Sequence, residues 1–218
     1  MNHMKIRALK FAAPLSIYVL AWFAFHEKGW VITWPILFAF AFIPLLEMML
    51  PAAEENMSEA EEQIAKEDRL YDFWLYLIVP LQYYALYLFF TSIQDPTLTT
   101  LEHVGRIVVM GLLCGTFGIN VGHELGHRRK LYERNLAKLL LLTSLYMHFY
   151  IEHNKGHHKN VSTKEDPSSA RRGEIVYLFY FRTVIFGFLS AWKIAADEQR
   201  KKGKPVFHFT NQMLQFQF

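Results

Sequence analysis

The sequence has one cysteine, Cys114, and it lies within an apolar run. That excludes an internal disulfide and leaves the fold to be held by packing alone. Charge of one sign is also scarce: a formal net charge of +3 over 218 residues is too small to indicate a nucleic-acid partner, and no DNA- or RNA-binding signature accompanies it. The first apolar run is long and lacks a small-residue cleavage site followed by a polar domain, so no removable secretory leader is expected. Repeats at solenoid periods and low-complexity tracts are absent, which excludes arrays and linker-rich architectures. What the chain has in excess is apolar and aromatic residues, 52% and 16% of the total, more than a water-soluble domain of this size carries. The expected solvent is lipid.

A hydrocarbon core about 30 Å thick takes about 20 helical residues to cross. Four segments meet that length, at about 8–25, 30–50, 71–93 and 104–122. They form two hairpins, the first closed by His26-Glu27-Lys28-Gly29. Pro14, Pro44 and Pro80 read as kinks, because a buried helix can satisfy its freed carbonyls through neighbours. GLLCG (111–115) and GINVG (118–122) are small-xxx-small patterns that admit a close neighbour. Lys5, Arg7 and Lys10 mark the amino terminus as cytoplasmic, while loops 26–29 and 94–103 contain only Lys28. Residue 123 then returns to the cytoplasm. The acidic stretch 54–69 reads as a solvated loop helix with a capping box at Ser58 and Glu61. Residues 136–151 read as a helix buried against the bundle, and 175–196, interrupted by Arg182, as a membrane-surface helix. The expectation is an all-α, multi-span membrane bundle, one integral-membrane domain over 1–218, with histidine-bearing helices on the cytoplasmic side at 123–172.

Those histidines carry the chemistry. His123-Glu124-Leu125-Gly126-His127 fits HExxH, the zinc-protease pattern in which two imidazoles one turn apart hold a metal. A second cluster follows, with His153, His157 and His158 at spacing HxxxHH. On an α-helix His153 and His157 differ by about 40° and can share an ion, whereas His158 points about 100° from His157. Adjacent histidines therefore suit two ions, or one ion and a neighbour. A catalytic zinc takes three protein ligands and a water, so five histidines are too many for it. For two octahedral or five-coordinate irons they are too few, and further ligands must come from elsewhere. Imidazole-rich ligation with open positions suits iron in oxygen chemistry, although zinc, copper and nickel also accept nitrogen. His148 stands open between ligand, outer hydrogen-bond donor and plain polar contact. Glu124, Glu152 and Asp166 are candidates to orient imidazoles from behind.

NVGHELGHRR (Asn120–Arg129), FYIEHNKGHHKNVSTKEDPSSAR (Phe149–Arg171) and the weaker NQML (Asn211–Leu214) together resemble the integral-membrane alkane 1-monooxygenases, of the membrane fatty-acid desaturase and hydroxylase superfamily. IPLLE (Ile43–Glu47) and VPLQYYAL (Val79–Leu86) extend the likeness along the chain. The resemblance implies a bacterial inner-membrane enzyme of six spans, four of them here, with a histidine-held pair of iron ions on the cytoplasmic side. It implies hydroxylation of the terminal carbon of medium-chain n-alkanes with O₂, using electrons from a rubredoxin served by an NADH-dependent reductase. His123, His127, His153, His157 and His158 match the family's iron ligands. Family members continue with two further helices and more histidines, so the chain is expected to be the amino-terminal part of a longer enzyme, inactive alone.

Rival readings remain on the residues themselves: a membrane zinc peptidase on HELGH, a xylene or fatty-acyl hydroxylase of the same superfamily, or a metal-poor fragment without activity. Basic residues near the histidines, from Arg128 to Lys130 and at Lys155, Lys159 and Lys164, fit positive-inside topology with anionic headgroups, or steering of an acidic electron donor.

Overall fold

The computed structural model describes residues 9–50, 58–59, 63 and 68–217. Lys5, Arg7 and Glu61 lie outside them, and with them part of the topology argument and the capping box. Among the described residues the chain is helical, without strands. It forms two compact units, Met1–Val121 and Gly122–Phe218.

In the first unit α1 (Ser16–His26) follows a 3₁₀ turn, Lys10–Leu15, that contains Pro14. Proline offers no N–H to an α-helical ladder and crowds the preceding turn, so a tighter segment fits there. α2 (Gly29–Met49) contains a π turn at Phe38–Phe42, which ends two residues before Pro44. A π turn relieves the carbonyl that the proline ring would otherwise meet. α3 (Arg69–Ser92) is capped by the Asp68 carboxylate, which accepts from the Leu70 N–H at 2.9 Å. α4 (Thr100–Gly126) starts on a capping box of Thr99 and Glu102.

Several buried polar groups in this unit find partners, as a lipid setting favours, although Tyr71 Oη, Trp74 Nε1 and Arg106 Nε have no hydrogen-bond partner among the described residues. Arg106, 2% exposed, donates to the carbonyls of Ser92 (2.6 Å) and Glu27 (2.8 Å), so one guanidinium ties both hairpin loops together. Glu102 accepts from the Gly29 N–H, and Lys28 pairs with Asp95 at 2.8 Å. The Lys28 ammonium and the Thr97 hydroxyl and N–H hold the Asp95 carboxyl well below its ordinary range. Between helices, the buried Tyr18 hydroxyl donates to Gln82 Oε1 at 2.7 Å. Close approach occurs at Gly105, where a Cβ would meet Ile32 Cγ2 at 2.7 Å. At Gly111 and Gly115 a Cβ would meet nothing within 4 Å, so the GLLCG pattern does not make the contact it suggested.

The second unit holds the end of α4, then α5 (Leu131–Leu142), a helical segment over 148–160, α7 (Val176–Lys201) and the short α8 (Gln212–Gln215), the 148–160 segment counting as α6. Ile151, Ala191, Ala195 and Met213 form its core, with Tyr150, Phe188 and Trp192 against them. Met213 belongs to the NQML stretch, whose Asn211 caps α8 by accepting from the Met213 N–H. Gly122 lets α4 and α5 touch: a Cβ there would meet Leu141 Cγ at 3.1 Å and the Ala137 carbonyl at 3.3 Å.

Four helices are long and apolar enough to cross a membrane: Gly29–Met49, Arg69–Ser92, Thr100–Gly126 and Val176–Lys201. Three match the sequence reading. The fourth is the segment read there as a surface helix on account of Arg182. That charge is neutralised locally: Arg182 donates to Glu174 through Nε (2.6 Å) and a terminal nitrogen (2.7 Å), and to the carbonyls of Pro167 and Ser169. The first apolar run, by contrast, gives an α-helix of 11 residues behind its 3₁₀ turn.

Candidate metal centre

All five histidines of the two motifs fall in the second unit. His123 stands on the last turn of α4, in α geometry over Asn120–Gly126, and His127 on the tighter turn that closes the helix, its N–H donating to the Glu124 carbonyl at 3.3 Å. His153 and His157 bound a π turn, His153–His157, in which the backbone N–H of His158 reaches the His153 carbonyl five residues back. The wider turn brings residue i+5 over residue i. His158 thereby joins His153, their Nε2 atoms 3.1 Å apart, in place of the divergence that an α-helix would impose.

The donor atoms converge. His127 Nε2 lies 2.8 Å from His123 Nε2 and 3.1 Å from His153 Nε2, and the donors of these three residues all lie within 4.8 Å of one another. An imidazole nitrogen has a single in-plane lobe, either an N–H or a lone pair. His127 Nε2 and His153 Nε2 each face two other ring nitrogens, so one lobe cannot serve both as hydrogen bonds. A cation satisfies several lone pairs at once. Two nitrogens about 2.1 Å from one ion at right angles sit about 3 Å apart, and the observed separations match that edge. The residues thus fit a metal through Nε2. Burial, aided by the surrounding imidazoles, pushes His153 down to about 3, which keeps it neutral and able to ligate. His127 and His158 are exposed while His123, His153 and His157 are partly buried, so the cage has an open side.

Behind the cage, His157 Nδ1 faces Asp166 Oδ2 at 2.9 Å. If Nδ1 carries the proton it donates to the carboxylate and leaves Nε2 free to ligate, the arrangement in which an outer carboxylate fixes a metal-binding tautomer. Asp166 is buried and also accepts from the Ser168 N–H at 2.9 Å and the Ser169 hydroxyl. Burial pushes its carboxyl up, but these hydrogen bonds and His157 outweigh it and hold the group below its ordinary value. Phe149 stacks on His153, ring centroids 4.8 Å apart.

The other candidates take different places. Glu124 is turned to Arg128, its Oε1 3.1 Å from a guanidinium nitrogen, with half of its side chain exposed. Among the described residues it makes no hydrogen bond to an imidazole. Glu152 is 2% exposed beside Gly156, where a Cβ would meet its Oε1 at 2.6 Å. A side chain at 156 would displace the Glu152 carboxylate and press on Ile194 Cδ1 at 3.1 Å. Burial, then the Asp166 charge, raises the Glu152 carboxyl. His148 packs edge-on against Tyr146 and Phe188, its buried Nε2 without a hydrogen-bond partner among the described residues. The sequence reading missed Ser168, Ser169, Phe149 and Gly156. The first two were signalled by DPSS, since an aspartate before such residues turns back on its own backbone.

The fatty acid desaturase family model matches residues 103–216, both histidine segments included. The chain belongs to the fatty acid desaturase family. Among curated relatives, alkane 1-monooxygenase of Pseudomonas putida is 33% identical over 204 residues, 93% of this chain and 50% of the relative. Alkane 1-monooxygenase 1 of Alcanivorax borkumensis is 32% identical over 199 residues, 90% of this chain and 49% of the relative. The xylene/toluene monooxygenase hydroxylase component of Pseudomonas putida is 30% identical over 116 residues, covering 53% and 31%. The chain spans about half the length of the alkane 1-monooxygenases it matches. As a fatty acid desaturase family member with four long apolar helices, it is a multi-pass membrane protein carrying a histidine cluster able to hold metal.

Proposed function

We propose that this chain supplies five imidazole ligands, His123, His127, His153, His157 and His158, to a non-haem di-iron centre. The centre serves a membrane monooxygenase that hydroxylates the terminal carbon of medium-chain n-alkanes. The observation that carries the reading is the meeting of four Nε2 atoms from two segments at 2.8–3.1 Å, without a hydrogen-bond pattern to account for it. The names of the relatives supply the substrate class. When bound, iron supplies the means to reduce O₂ with electrons delivered from a rubredoxin and its NADH-dependent reductase.

The protein's own residues hold and orient. Asp166 fixes the ring of His157, Gly156 lets the π turn close against Glu152, and Phe149 keeps one side of His153 dry. Five imidazoles are fewer than two such ions take, so the reading requires ligands beyond these five. The open side of the cage faces the cytoplasm of the inner membrane in this reading, where a soluble electron donor can reach it. Glu124, engaged by Arg128, is not placed as the base that a zinc peptidase needs.

The test is metal analysis together with turnover. The complete gene product should bind iron in preference to zinc and convert octane to 1-octanol with label from ¹⁸O₂, and His157→Ala should weaken iron binding and abolish turnover. A protein that takes one zinc, or whose octane turnover survives His157→Ala, contradicts the proposal. Faster turnover of xylene than of octane would move the substrate assignment to aromatic side chains.

A further inference from the structure

A cavity of about 550 Å³ opens in the second unit between residues 155–171 and α7. Lys159, Lys164, Arg171 and Lys193 line it, together with Phe186 and Leu189. None of the four cations lies within ion-pair distance of an acid among the described residues. The other two basic groups in the wall are paired, Lys155 to Glu198 and Arg182 to Glu174, and the Asp197 carboxylate is taken by Arg200. Glu165 is the remaining acid of the lining. With Glu165 set against one of them, and Arg171 near enough to lower the Glu174 carboxyl, positive charge is still in excess around one hollow, at a cost in mutual repulsion that a bound anion relieves.

The α7 wall alternates in character along one face. Arg182, Phe186, Leu189 and Lys193 follow at helical spacing, and Phe186 and Leu189 are 54% and 53% exposed. An anion without an apolar part would leave those two side chains uncovered. Lysines on long stems beside exposed aromatic and aliphatic groups are the composition of a lipid–water boundary. We propose that this cavity seats the phosphate of an anionic phospholipid, with its acyl chains along Phe186 and Leu189. Lys159 follows His158 directly, so the bound headgroup ties the imidazole segment to the bilayer surface. The inference does not depend on which metal the histidines hold.

Native mass spectrometry of the full chain, released from micelles containing equal phosphatidylglycerol and phosphatidylcholine, reads this directly. One phosphatidylglycerol should be retained in preference to phosphatidylcholine. With about fivefold per cation at a lipid surface, Lys164→Gln/Arg171→Gln/Lys193→Gln should lower retention about a hundredfold. Lys201→Gln/Lys202→Gln/Lys204→Gln, outside the cavity, should lower it less than about fivefold. Should the triple cavity variant not fold, Lys193→Gln alone, at an exposed position, should lose about fivefold and Lys193→Arg should restore it. Equal retention of the two lipids, or equal loss in the outside variant, overturns the proposal. So does displacement of the lipid by excess inorganic phosphate that is itself retained, which would mark a site for the free anion.

Discussion

The two histidine segments solve one problem with different backbones. At the end of α4 the last α turn and the tighter turn that closes it present His123 and His127 four residues apart, and a pair is all that this interval aims at one point. In the 148–160 segment a π turn spans the same interval, and the residue one further on swings into place, so that three histidines share a neighbourhood. No carboxylate is hydrogen-bonded to either of these two rings among the described residues. The π turn leans on Gly156, on the buried Glu152 and on Asp166, so its ligands should be the more sensitive to changes behind them.

That contrast can be broken by mutation. The largest effect belongs to His153→Ala, which removes the ring shared between His127 and His158. Iron affinity should fall by more than the about 10–100-fold of an outer partner, measured by metal titration. Asp166→Asn should cost about 10–100-fold in the same assay while leaving the helix content by circular dichroism unchanged. Gly156→Ala forces a Cβ against Glu152 and should destabilise the second unit by about 1–3 kcal/mol. Combining it with Glu152→Ala should recover part of that loss in thermal unfolding, since the two sites share one clash.

Acidity probes the pairing that brings Arg182 into α7. Arg182 holds the Glu174 carboxyl at about 2, below its ordinary value of 4.5. The unfolded chain therefore takes up the proton first. The stabilisation is complete above 4.5 and is lost as pH falls toward 2. Glu174→Gln should flatten the dependence of Tm on pH across that window. The smallest effect is expected of Glu124→Gln, because its half-exposed i,i+4 pair with Arg128 is worth only about 0.3–0.5 kcal/mol. Iron content should not change. Loss of turnover at unchanged metal content would instead mark Glu124 as a base, as the peptidase reading requires.

Hydrophobic length was legible in the sequence because a spanning helix must satisfy its own backbone, and three of the four long apolar helices stood where the runs placed them. Arg182 read as an interruption of the run because its partner Glu174 lies eight residues away, beyond any local helical pattern. Spacing showed that the histidines could meet, but not how His158 would join. Whether a turn closes at four residues or five is decided by tertiary packing, here at Gly156. For the same reason the sequence did not tell which carboxylate faces an imidazole: Asp166 does so, while Glu124, adjacent to His123 in the chain, turns to Arg128.

X-ray absorption at the iron edge of the iron-loaded protein tests the central claim most directly. The account predicts imidazole nitrogens at about 2.0–2.2 Å, with a matching loss of imidazole scattering in His127→Ala and in His153→Ala, because both segments feed one centre. Scattering that drops in one variant and is untouched in the other would contradict it.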